Sequence, residues 1–83
     1  MDAHNNLGLV YLEKGLHAEA ERSFRTAMRT SPEYAKAHYN LGVLFERQGR
    51  VEEAAAEFRT ALRLDPGYAK ARFGLEELSR RRH

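Results

Sequence analysis

Apolar residues in this chain return every three or four positions, and then the whole pattern returns. Leu7, Val10 and Tyr11 fall on one side of a helix drawn at about 3.6 residues per turn, and Leu41, Leu44 and Phe45 do the same further along. Gly15 and Gly49 close these two stretches, because glycine accepts the left-handed conformation in which helices end. A second kind of helix follows each, predicted from about Ala18 to Arg29 and from about Glu52 to Leu64. Its inward residues are Ala20, Phe24, Ala27 and Met28 in one case and Ala54, Phe58, Ala61 and Leu62 in the other. Ser31-Pro32 and Asp65-Pro66 stop these helices, since the residue before a proline is pushed out of the α region.

Shifting the chain by 34 positions superimposes the two halves without a gap. Ala3 meets Ala37, His4 meets His38, Asn6 meets Asn40, Leu7-Gly8 meets Leu41-Gly42, and Phe24, Pro32 and Tyr34 meet Phe58, Pro66 and Tyr68. After Tyr68 the phrase Ala69-Lys70-Ala71-Arg72 starts a third unit, and Leu75 and Leu78 answer Leu41 and Leu44 before the chain stops. Two helix pairs and one closing helix are therefore predicted, an all-α fold of five helices. Gly8 and Gly42, with small alanines on the partner helices, let the members of each pair approach closely. In the last helix the glycine place is taken by Glu76 and the aromatic place by Ser79, the polar outer side of a capping helix.

Composition changes this picture little. The 83 residues suit one domain with a modest core, too small for a deep active site. The formal charge is +2, with 14 basic and 12 acidic residues interleaved, which does not by itself indicate nucleic acid. Cysteine is absent, so no disulfide, thiol nucleophile or cysteine-based zinc site exists. No apolar run approaches the roughly 18 residues of a membrane span, and the first residues lack a signal-peptide pattern, so a cytoplasmic location without membrane contact is expected.

The repeated residues closely resemble the tetratricopeptide repeat (TPR), with its 34-residue period and its pattern W-x2-L-G-x2-Y, then A-x3-F, then P. Leu7, Gly8, Tyr11, Ala20, Phe24, Ala27 and Pro32 match in the first unit, and Leu41, Gly42, Phe45, Ala54, Phe58, Ala61 and Pro66 in the second. His4 and His38 stand where tryptophan is usual. The resemblance implies a right-handed α-solenoid of antiparallel helix pairs. Its units would span residues 1–34 and 35–68, with a capping helix at 69–83, together one domain over 1–83.

Chemistry-bearing residues do not assemble into a reaction centre. His4 and His38 sit one repeat apart on equivalent faces, but no third ligand completes a metal site, and packing in the tryptophan place is the simpler reading. His17 is expected in a turn and His83 at the terminus. Ser23, Ser31 and Ser79 lack a nucleophile elbow or a matched histidine and acid. Glu52 and Glu53 belong to the first turn of a helix, where negative charge suits the dipole, and Glu76 and Glu77 precede Arg80 and Arg81 by four residues, an ion-pair spacing. No enzyme, cofactor or metal is expected.

The resemblance instead implies a concave groove lined by the first helix of each pair, binding a peptide or partner segment. Its candidate residues are Asn5, Asn6, Leu9, Leu12 and Glu13, then Lys36, Tyr39, Asn40, Val43 and Arg47, then Lys70, Phe73, Glu77 and Arg81. Asn6 and Asn40 form two rungs of an amide ladder resembling that of O-linked N-acetylglucosamine transferases, which Gly74 breaks; such amides can bond a peptide backbone, or equally a neighbouring helix. The family's carboxylate clamp is matched by Asn40 and Lys70 only. Asn5, Leu9 and Gly74 stand in its remaining places, so no complete clamp is expected.

Two other uses stay open. Arg22, Arg25, Arg29, Arg59 and Arg63 form a basic stripe on the second helices, continued by Arg80-Arg81-Arg82, which would suit phosphate or an acidic protein, although aromatic stacking residues are missing from it. Repeat arrays generally need about three units, and this chain has two and a half, with one side of its first pair open. Either the chain is a piece of a longer array, or self-association into a homo-oligomer, including exchange of a terminal helix, covers that side; nucleic-acid binding through the basic stripe is the remaining alternative.

Overall fold

The computed structural model describes residues 3–31 and 34–81. They form five helices and no strand: α1 (Ala3–Glu13), α2 (His17–Thr30), α3 (Ala35–Arg47), α4 (Val51–Leu64) and α5 (Ala69–Arg81). Consecutive helices pack on each other, α1 on α2 and α3 on α4 within units, α2 on α3 and α4 on α5 between them. α1 also touches α3, and α3 touches α5. The result is a helical-repeat solenoid measuring 35 × 26 × 16 Å.

The turn inside each unit is the same device used twice. Gly15 and Gly49 take φ of 78° and 77°, the left-handed conformation open to glycine. Gly15 N–H donates to Leu12 O at 3.0 Å and Leu16 N–H to Tyr11 O at 2.9 Å; Gly49 and Arg50 repeat this to Glu46 O and Phe45 O at 3.0 and 2.9 Å. This Schellman pattern satisfies the last carbonyls of α1 and α3. Leu16 and Arg50 then open α2 and α4 without a side-chain cap. In the second turn the Arg50 guanidinium lies 4.3 Å over the Phe45 ring, closing the turn with a cation–π contact.

Glycine and phenylalanine lock each pair together. A Cβ on Gly8 would lie 2.5 Å from Phe24 Cε1, and one on Gly42 2.7 Å from Phe58 Cε1. Phe24, Phe45 and Phe58, with Leu12, Leu41, Leu44 and Leu78, make the buried core, between the alanines at 20, 27, 54 and 61. Met28 and Leu62 are half-buried at its margin.

Leu7 and Val10 are 43% and 48% exposed, on the side of the first pair expected to be open. Three sequence expectations need correction. His17 is the first residue of α2 and lies outside the turn. Arg81 does not pair within α5; it reaches Glu46 of α3 at 2.9 Å, while Arg80 pairs with Glu77 at 2.7 Å. Asn5, placed in the open groove by its position, is 1% exposed. Asp2, Pro32, Glu33, Arg82 and His83 lie outside the described residues.

Candidate functional site

α1, α3 and α5 border a groove of about 310 Å³ lined by Leu9, Leu12 and Glu13 of α1, Lys36, Tyr39, Asn40, Val43 and Arg47 of α3, and Tyr68 and Lys70 at the start of α5. The spacing of the α3 residues explains why they converge. Positions 36, 40, 43 and 47 recur at three and four residues, one face of a helix. Leu9 and Val43 are half-buried, while Lys36, Arg47 and Lys70 are exposed. The arrangement is an apolar floor with cations along its edge. Glu13 is the carboxylate on that edge, 3.9 Å from Arg47.

Tyr39 supplies the centre of the floor. Its ring centroid is 5.5 Å from that of Phe58 and 5.3 Å from that of Tyr68, tilted against both. Burial pushes the phenols of both tyrosines upward in pKa. Glu46 adds to the effect at Tyr39, and Tyr68 is raised to about 12 with help from Tyr39, Tyr34 and Asp65. Both hydroxyls are therefore protonated at neutral pH and serve as neutral donors or acceptors. Tyr68 is a groove residue that the sequence did not single out, although the repeat places it, like Tyr34, two residues after a proline.

The remaining predicted residues do not converge on this groove. Asn5 is buried beneath it and accepts a hydrogen bond at 2.9 Å from Asn40 Nδ2, which ties α1 to α3. Asn6 is exposed and Asn40 is 6% exposed, so the two amides do not stand as equal rungs. Phe73 is 62% exposed on α5. Glu77 is half-buried and engaged with Arg80, and Arg81 with Glu46.

On the other side of α3, His38 is half-buried and its Nδ1 meets Glu57 Oε1 of α4 at 2.9 Å. The repeat hides this pair, because the residue matching Glu57 in the first unit is Ser23 and His4 is exposed. Among the described residues no three His, Asp or Glu side chains gather as a metal site. Nor is any of their helices long and apolar enough to cross a membrane.

The fold defines the class first: an α-solenoid of glycine-and-phenylalanine-locked helix pairs, with an open groove along the first helices. A tetratricopeptide-repeat family model matches residues 5–69, and the chain belongs to that family. Such repeats are non-catalytic scaffolds that mediate protein–protein interaction. Among solved structures the chain resembles the TPR domain of Arabidopsis OM64, with a TM-score of 0.89 and 31% sequence identity. The likeness covers 94% of this chain and 64% of that one, so the chain spans less than two thirds of the domain it matches. No curated protein matches the chain.

Proposed function

We propose that the chain is a non-catalytic interaction module whose groove takes an extended segment of a partner protein. The observation that supports this is the groove itself, an apolar floor of Leu9, Tyr39 and Val43 edged by Lys36, Arg47 and Lys70. Aromatic and aliphatic anchors supply the contact area, and the edge cations select a segment with acidic residues between its apolar ones. Asn40 lines the floor while bonded to Asn5, so its amide helps to shape the groove. The test is capture of partners by the immobilised chain beside two groove variants, Tyr39→Ala and the Lys36→Glu, Lys70→Glu pair. Loss of the same captured proteins in both, with helicity unchanged, supports the reading. Retention in both overturns it.

A second reading rests on Leu7 and Val10, which stay open at the positions where Leu41 and Leu44 are buried. Copies of the chain associating through that face would hide it. Sedimentation of the wild type beside Leu7→Glu decides the matter: a mass that rises with concentration only in the wild type is the expected result, and a concentration-independent monomer removes this reading.

A further inference from the structure

A cavity larger than the groove, about 510 Å³, opens between α2 and α3 and is lined by Arg25, Met28, Arg29 and His38. His38 lies two residues from Asn40, about 200° around α3, so this cavity faces away from the groove. Met28 is half-buried and gives the cavity an apolar wall. The two guanidiniums are set at its edge by short contacts. Arg25 Nε donates to Glu21 Oε2 at 3.0 Å, and Arg29 Nη2 donates to Thr26 Oγ1 at 3.3 Å. Each arginine has five N–H donors in a fixed fork, so these bonds orient the groups and leave donors over. No carboxylate is among the residues lining the cavity; Glu21 pairs with Arg25 and Glu57 with His38 from outside that lining.

The same arrangement is written again one unit later. Arg25-Thr26-Ala27-Met28-Arg29 on α2 is matched by Arg59-Thr60-Ala61-Leu62-Arg63 on α4, and the place of His38 is taken by Arg72 on α5. Arg59 and Arg63 are exposed and make no ion pair among the described residues, and the Arg72 guanidinium donates to Pro66 O at 3.1 Å. The turn before α4 reaches α2, where Arg50 comes within 3.9 Å of Glu21. Cations flanking an apolar residue thus recur in the two units, and the cavity itself is lined by cations and imidazole without a carboxylate.

We propose that this seam is a second docking site, separate from the groove, for an acidic protein segment. An apolar side chain of the segment rests on Met28, and its carboxylates meet Arg25 and Arg29, then Arg59 and Arg63. Charge complementarity selects an acidic occupant, because guanidinium forks take carboxylates two bonds at a time. No Phe, Tyr or Trp lines the cavity, so it offers no aromatic platform for stacking nucleic-acid bases.

The test uses a fluorescein-labelled peptide of alternating Glu and Leu residues with the whole chain. Amide signals of Met28, Arg29, His38 and Arg63 shift on titration, and the pair Arg29→Gln, Arg63→Gln weakens binding by roughly tenfold. Absence of binding, shifts confined to Tyr39, Asn40 and Val43, or equal affinity for the same peptide with Gln in place of Glu would each overturn the proposal. Tighter binding of a single-stranded oligonucleotide than of the acidic peptide would also overturn it. Because the reporting amides differ for the two faces, failure here leaves the groove to be judged on its own.

Discussion

α1 and α3 are near copies in sequence and unlike in what they touch. Leu41 and Leu44 are fully buried, whereas Leu7 and Val10, at the same positions of the motif, remain open. Asn5 is buried in an amide pair, whereas Tyr39, its counterpart, stacks between Phe58 and Tyr68. His4 is exposed and His38 is held by Glu57. A repeat motif therefore specifies which side of a helix is apolar, while burial is conferred by the neighbour that arrives.

The largest expected effect separates the two helices. Leu41→Ala should cost about 2–5 kcal/mol in a urea melt, because a buried leucine leaves a cavity, whereas Leu7→Ala should stay within about 0.5 kcal/mol of wild type. Equal losses would mean that α1 too is covered in solution. Gly8→Ala and Gly42→Ala probe what the helices share. Each added methyl meets a buried phenylalanine ring at under 3.0 Å, so both should lose about 1–3 kcal/mol by overpacking. A marked difference between them would break the equivalence of the two units.

Tyr39→Asn writes the α1 residue into α3. In the wild type the Tyr68 phenol is raised from its ordinary 10.0 to about 12, mainly by burial and then by Tyr39. Its folded-state value lies above the unfolded one, so the associated stability is complete below pH 10 and is lost as the pH climbs towards 12. Tyr39→Asn opens the site and should bring tyrosinate absorbance in at lower pH, with alkaline unfolding following it down. An unchanged titration would mean that Tyr39 does not shield Tyr68. Smallest is Arg81→Ala, which removes the ion pair from α5 to Glu46 at 2.9 Å. About 0.2–1 kcal/mol should be lost at low salt and less at high salt, as measured by thermal melting.

Much of the solenoid could be read from periodicity, because glycine, proline and the aromatic positions mark helix ends and packing contacts locally. Helix limits came within a residue or two of those predicted. The exposure of Leu7 and Val10 agrees with the open side expected of the first pair. In the groove, Lys36, Tyr39, Val43 and Arg47 were named through the family resemblance, and they line one cavity with α1 and the start of α5. The burial of Asn5 was not legible, since it depends on an amide 35 positions away. The His38–Glu57 contact was equally hidden, because it is written in one unit only. Arg81 showed a sound local spacing to Glu77, yet a cross-helix carboxylate won.

The bond between Asn5 and Asn40 acts on shape as well as stability. α1 and α3 meet along a narrow seam, and this is its buried polar contact. Apolar side chains tolerate sliding past one another, but a buried amide displaced by one helical turn gives up a hydrogen bond in a place water does not reach. The pair therefore works as a vernier: it fixes the offset between successive units, and with it the width of the groove that their first helices enclose. Replacing both residues by leucine would preserve the cohesion of the seam while releasing its setting, so that the pitch of the solenoid becomes adjustable by whatever occupies the groove.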